Sequence, residues 1–135
     1  MLLLDSEAIS SVAHGPDLRR DRVRALVMEM RSRDLPVATV AAVLAEVVRG
    51  RPADAGVFAG MRRERVEVHP VDTRTGVRAG QLLGTAGAGS EMAIDAFLVA
   101  DADLRGGAVI ATCDTGDLRR LASVAQRVRI ADLDG

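Results

Sequence analysis

Short apolar runs alternate along this chain with longer stretches in which apolar positions recur every three or four residues. The run Leu2 to Leu4 reads as a buried strand ending at Asp5, and Ser6 to Ala13 as a short helix or turn. His14-Gly15-Pro16 breaks the chain, after which Asp17 caps a helix predicted to run to about Arg33. Its apolar stripe is Leu18, Val23, Leu26, Val27 and Met30, at roughly 3.6-residue spacing, with arginine on the opposite face. A second strand is expected at Leu35 to Val37, then a helix from Thr39 to Arg49 that ends at Gly50 and Pro52. A helix over Ala53 to Arg63, an alternating strand over Val66 to Val71 and a helix over Thr73 to Leu83 follow. The glycine-rich residues 84–90 read as a flexible connection. Glu91 to Leu104 is the longest apolar helix, and Gly106-Gly107 turns the chain into a strand at Ala108 to Thr112. A helix over Asp117 to Ala125 and a strand over Arg127 to Ile130 complete the pattern.

Strands alternating with helices imply βαβ units. The expected fold is therefore α/β, with a central, mostly parallel sheet of four to five strands flanked by helices on both faces. No repeat or linker divides the chain, so residues 1–135 are expected to form one domain. Functional groups in such sheets gather at the carboxyl ends of the strands. Here those positions are acidic.

Asp5 follows the first strand, and Asp114 and Asp117 follow the strand at 108–112. Glu46 and Asp95 lie inside strongly apolar helices, in Ala42-Val43-Leu44-Ala45-Glu46-Val47-Val48 and Met92-Ala93-Ile94-Asp95-Ala96-Phe97-Leu98-Val99. A charge on the apolar side of a helix is costly unless it is paired or binds a metal. Asp95 has no arginine three or four residues away, whereas Glu46 has Arg49 one turn on as a potential surface partner. Asp5 and Asp117 also stand where a helix cap is expected. Asp101 and Asp103 follow Asp95 at about 240° and 80° around the helix, which predicts solvent-facing positions. Carboxylates aimed at one strand edge repel one another and raise each other's pKa until a cation neutralises them. An oxygen-only donor set suits Mg²⁺, with Mn²⁺ as a substitute, and the absence of clustered His or Cys argues against zinc.

Composition narrows the alternatives. All 18 basic residues are arginine, so chemistry that needs a lysine amine is excluded: P-loop nucleotide binding, Schiff bases and receiver-type phosphoaspartate switches. With two Phe and neither Tyr nor Trp, the chain has no platform for stacking bases. A net charge of −1 rules out binding nucleic acid by global basicity. Any contact with nucleic acid then runs through local arginines on phosphate, at 19/20/22/24, 49/51, 62/63/65 or 119/120. Arg49 and Arg51, which follow the Glu46 helix, are the favoured pair. His14 and His69 form no Ser-His-Asp grouping, and His69 reads as structural or exposed. The lone Cys113, the shortness of the first apolar run and the lack of an ~18-residue apolar stretch predict a cytoplasmic protein without a membrane span.

Leu3-Leu4-Asp5-Ser6, Glu46 in an Ala-Glu-Val-Val helix, Asp95-Ala96-Phe97-Leu98-Val99-Ala100 and Ala111-Thr112-Cys113-Asp114-Thr115-Gly116-Asp117-Leu118 resemble, in order and spacing, the PIN-domain family. The resemblance is closest to the VapC-type toxins of bacterial toxin–antitoxin pairs. It spans essentially the whole chain and implies a single PIN-like domain. Its specificity comes from four acids in order, because each motif is short. The implied activity is Mg²⁺-dependent hydrolysis of RNA phosphodiesters. Asp5, Glu46, Asp95 and Asp114 would form the acidic quartet, with Asp5, Asp95 and Asp114 as metal ligands and Glu46 orienting the attacking water or binding through it. Asp117 would be auxiliary, and Ser6 and Thr112 stand where the family often has a hydroxyl. Leu118 replaces the aromatic common after the last acid, so the resemblance does not divide roles between Asp114 and Asp117. It further implies a homodimer and a small cognate antitoxin. An antitoxin-independent RNA-processing nuclease, an inactive RNA-binding or scaffold PIN domain, and a flavodoxin-like binding domain are the alternatives.

Overall fold

The computed structural model describes residues 1–14 and 16–135; Gly15, in the predicted chain break, lies outside the described residues. The first half contains β1 (Leu2–Leu4), α1 (Ser6–His14), α2 (Asp17–Ser32), β2 (Val37–Val40), α3 (Ala41–Val47), α4 (Asp54–Arg63) and β3 (Glu67–His69). The second contains α5 (Thr73–Ala86), a 3₁₀ turn (Ser90–Met92), α6 (Ala93–Leu104), β4 (Ala108–Thr112), α7 (Thr115–Ala122) and β5 (Val128–Asp132).

The strands form one sheet in the order β3-β2-β1-β4-β5, and every neighbouring pair is parallel. Leu3 of β1 sits opposite Ala38 of β2 on one side and Ile110 of β4 on the other. A central parallel strand is covered on both faces, which is why β1 reads as an unbroken apolar run rather than an alternation. Leu2, Leu3 and Leu4 are all fully buried. From β1 the chain steps outward to β2 and β3, then crosses back to β4 and β5 on the other side. Right-handed crossovers place helices on opposite faces when the direction of winding reverses. Accordingly α1 packs with α2 and α4, and α6 packs with α5 and α7. One continuous core runs between them, through Ile9, Val27, Leu98, Ile110, Leu118 and Leu121. The reversal falls between β1 and β4, whose carboxyl ends therefore open onto a crevice.

Several boundaries differ from the sequence expectation. The second strand is Val37–Val40 rather than Leu35 to Val37. Leu35 closes the end of α2 through its amide to the Met30 carbonyl at 2.9 Å, and the strand begins after Pro36. Thr39, expected to open a helix, is a buried strand residue whose hydroxyl donates to the Leu4 carbonyl at 2.7 Å. The glycine-rich connection is half helix: α5 continues through Gly84 to Ala86 and stops at Gly87, which adopts the left-handed conformation (φ 66°). The Ala88 amide then bonds back to the Leu83 carbonyl at 2.9 Å, satisfying a carbonyl at the helix end. The last helix starts at Thr115, two residues early, because Asp114 occupies the N-cap position.

Asp101 is a correction of another kind. It was expected in solvent, yet it is 3% exposed, because α6 packs against both α5 and the sheet. Its Oδ2 lies 2.8 Å from Nδ1 of the buried His69, and its Oδ1 accepts from Arg105 Nε at 3.0 Å. Asp103 is half-buried too, and it is paired with Arg78 at 2.7 Å. His69 is thus structural, tying the end of β3 to α6. Asp101→Ala strands both partners and should cost about 3 kcal/mol of stability, read as a lower urea midpoint at unchanged m-value. Asp101→Asn, which keeps an acceptor, should cost less.

Candidate functional site

Asp5 ends the central strand and begins α1. Its Oδ1 accepts the Ala8 amide at 2.8 Å and its carbonyl accepts the Ile9 amide at 3.0 Å, so one carboxylate oxygen does cap the helix. Asp5 is also 6% exposed. That burial pushes its pKa up to about 6, against the opposing pull of the Thr112 hydroxyl and the Ala8 amide. Thr112 lies at the end of the adjacent strand and is fully buried, and its Oγ1 accepts the Asp114 amide at 3.0 Å. The ends of β1 and β4 are held together by main-chain pairing, the Asp5 amide donating to the Ala111 carbonyl at 3.3 Å.

Asp95 reaches the same crevice from the first turn of α6 and is half-buried. Its pKa is also raised to about 6, first by desolvation and then by the negative charges of Asp5, Glu46, Asp117 and Asp114. Asp95 therefore lies within the field of the other four acids picked out from the sequence. Asp114 and Asp117 are exposed on the first turn of α7. Although Asp114 stands at the N-cap, its side chain makes no capping bond, which leaves the carboxylate uncommitted. Glu46 is exposed on α3 and faces a groove lined by Ser6, Glu7, Ser10, His14 and Arg19.

The absence of counter-charges sets this group apart. Asp17, Glu29, Glu64, Asp101, Asp103 and Asp134 each hold an arginine. Among the described residues, none of Asp5, Glu46, Asp95, Asp114 and Asp117 forms an ion pair. The Glu46–Arg49 pair that sequence spacing allowed is not made, because Arg49 Nη1 instead donates to the Ala45 and Val48 carbonyls at 2.6 and 3.1 Å.

Arg49 is thus engaged with the end of α3. The Arg49, Gly50 and Arg51 amides all donate to the Asp54 carboxylate, at 2.7 to 3.2 Å. This turn holds Arg49 and Arg51 on a second groove, which shares Ser10, His14 and Val47 with the first. Sequence reasoning missed Glu7 and the singular placement of Arg19. Glu7 follows Asp5 by two residues and was hidden by an ordinary helix-start pattern. Arg19 had no distinguishing signal, since only the folding of α2 against α1 brings it to the groove. Cys113 does not join the ligand set, because burial and a hydrogen bond with Glu7 push its thiol up to about 12 and keep it protonated.

The donor chemistry around the crevice is carboxylate and hydroxyl oxygen, which fits a hard divalent cation. Among the described residues, no three His, Cys, Asp or Glu side chains form a ready-made metal cage. Unfolded aspartate ionises near 3.8, whereas Asp5 and Asp95 hold their protons to about 6 in the folded chain. Folding is thus favoured at low pH by these two groups, and that contribution is lost as pH rises through about 4 to 6. In EDTA, Asp5→Asn should gain stability relative to wild type across this window, reaching on the order of 2–3 kcal/mol at pH 7.5. Asp95→Asn should gain less, its carboxylate being partly solvated. Paired thermal melts at pH 4.5 and 7.5 check both.

No protein-family model matches the chain, and no curated protein matches it in sequence. A match among solved structures is a chain from the crystal structure of VapBC2 from Rickettsia felis bound to a DNA fragment from their promoter. It superposes with a TM-score of 0.66 at 14% identity, covering 97% of both chains. At that identity the likeness is one of fold, and it extends over nearly the whole of both chains.

Proposed function

We propose that this protein is a Mg²⁺-dependent endoribonuclease and the toxin of a VapBC-type toxin–antitoxin pair. The observation that carries the nuclease reading is that Asp95, its pKa raised first by burial, also feels the charge of Asp5, Glu46, Asp117 and Asp114, beside the point where the sheet reverses its winding. The fold shared with a chain of a VapBC2 complex supports the toxin–antitoxin assignment. In this reading a small antitoxin is the protein partner, a homodimer is the working assembly, and RNA is the substrate.

Asp5, Asp95 and Asp114 are the residues that would hold the ion. When bound, Mg²⁺ supplies Lewis acidity that makes water nucleophilic near neutral pH and offsets charge on the phosphoryl oxygens. Asp5 is preset for this role, since Thr112 and the Ala8 amide fix its carboxylate at the strand end. Glu46, exposed across the crevice, orients the attacking water and accepts its proton. Asp117 adds negative charge at the rim, while Ser6 at the start of α1 lies on the groove beside Glu46. The neutral Cys113 thiol takes no part.

Wild type should cleave single-stranded RNA with Mg²⁺ or Mn²⁺ and lose that activity in EDTA. Asp5→Asn and Asp95→Asn should each reduce kcat by at least about 100-fold while the chain stays folded. Full activity in either variant would remove that residue from the site. Growth arrest on expression, relieved by co-expressing a cognate small partner, tests the toxin assignment separately.

A further inference from the structure

Arg19 is the only guanidinium, among the described residues, on the groove that contains Ser6, Glu7 and Glu46. It lies in the first turn of α2, beside three further arginines that do not line this groove. Its Nε and Nη2 each bond one oxygen of Asp134 at 2.6 Å, a two-pronged clasp along one edge of the guanidinium. No bond to Nη1 is formed among the described residues.

The clasp is itself anchored to the acidic crevice. Leu133, 1% exposed, donates its amide to the Thr112 carbonyl at 2.8 Å, and its own carbonyl accepts from Arg22 Nη1 at 2.5 Å. The Asp134 amide donates to Asp132 Oδ1 at 2.9 Å. Thr112, whose hydroxyl bears on Asp5 and Asp114, thus fixes the backbone that carries the carboxylate holding Arg19. An exposed ion pair contributes little to stability, and this one is 36% and 42% exposed. Its effect is instead positional: it sets the direction of the remaining N–H donors and removes the rotamer entropy that would oppose a new contact.

We propose that Arg19 is a phosphate-binding residue of this site, its Nη1 edge taking a non-bridging oxygen of an RNA phosphate next to the scissile one, with Asp134 as its positioning residue. The inference rests on the ribonuclease reading and deepens it. The groove continues from Arg19 past Glu46, Ser10 and His14 into the second groove, where Arg51 stands. A single strand laid along it meets Arg19 in the first groove, which also holds Glu7 and Glu46, and Arg51 in the second, so a cation offsets the repulsion of these acids at each end.

The test uses the full chain, a fluorescein-labelled single-stranded oligoribonucleotide and Mg²⁺, from 50 to 200 mM salt. Arg19→Gln should raise KM about tenfold with kcat within about twofold of wild type. The dependence of log(kcat/KM) on log salt should become shallower by about 0.7, the slope lost with one single-strand phosphate contact. Arg19→Lys should restore the slope but only part of KM, since it keeps the charge and loses the fork. Asp134→Asn should raise KM with kcat retained, and Arg74→Gln on distant α5 should change nothing. If RNA is cleaved and Arg19→Gln leaves both KM and slope as in wild type, the Arg19 proposal is overturned and the nuclease reading stands. A lower KM in Asp134→Asn would make that carboxylate a competitor of phosphate, which overturns its positioning role. If wild type does not cleave, anisotropy titrations decide: weaker RNA binding by Arg19→Gln supports the contact without the chemistry. Absence of RNA binding by wild type overturns it.

Discussion

Negative charge held together without counter-charge is the constraint around which this molecule is organised. Asp5 is buried at the end of the central strand, and the half-buried Asp95 feels the like charge of Asp5, Glu46, Asp117 and Asp114. A chain with 18 arginines has ample means to neutralise such a group, and it does so for acids elsewhere. For Asp5 and Asp95, burial without a counter-charge means that folding works against their ionisation. Sites under this kind of tension are where pKa values are displaced and where function is most often found.

The architecture explains why the tension can be sustained. The parallel sheet buries three consecutive leucines on β1, and core helices pack on both of its faces. Main-chain pairing holds β1 to β4, and the Thr39 hydroxyl adds a side-chain bond to the Leu4 carbonyl that locks β1 to β2. A scaffold held by this many satisfied groups holds its unsatisfied ones in place. The contrast with Asp101 is instructive: it is as deeply buried as Asp5, yet it is bonded to both His69 and Arg105 and so belongs to the frame. Burial alone does not mark a functional acid. Burial without a cationic partner does.

Much of the fold was legible because its signals are local. Apolar runs of strand length, glycine and proline breaks and helix-period stripes placed every strand within a few residues. The errors fell where a distant contact decides the outcome. Thr39 reads as a helix opener until the Leu4 carbonyl claims its hydroxyl, and the helix angle from Asp95 says nothing of what packs over Asp101. For the candidate site, the five acids were picked out by their order and, for Glu46 and Asp95, by charge in apolar surroundings. Arg19 was one of many arginines on a polar helix face, and no local pattern separates it from its neighbours.

Side-chain chemistry and its order along the chain already specify an α/β sheet, an oxygen-rich acidic cluster and the lack of any lysine- or stacking-based alternative. These are properties of residue type and short-range periodicity, which survive without knowledge of the fold. Which acids remain without a counter-charge, and which carboxylate Arg19 pairs with, are settled by contacts between residues up to 115 positions apart, as Arg19 and Asp134 show. Coulomb energy depends on distance in space and on burial, and neither is encoded in spacing along the chain.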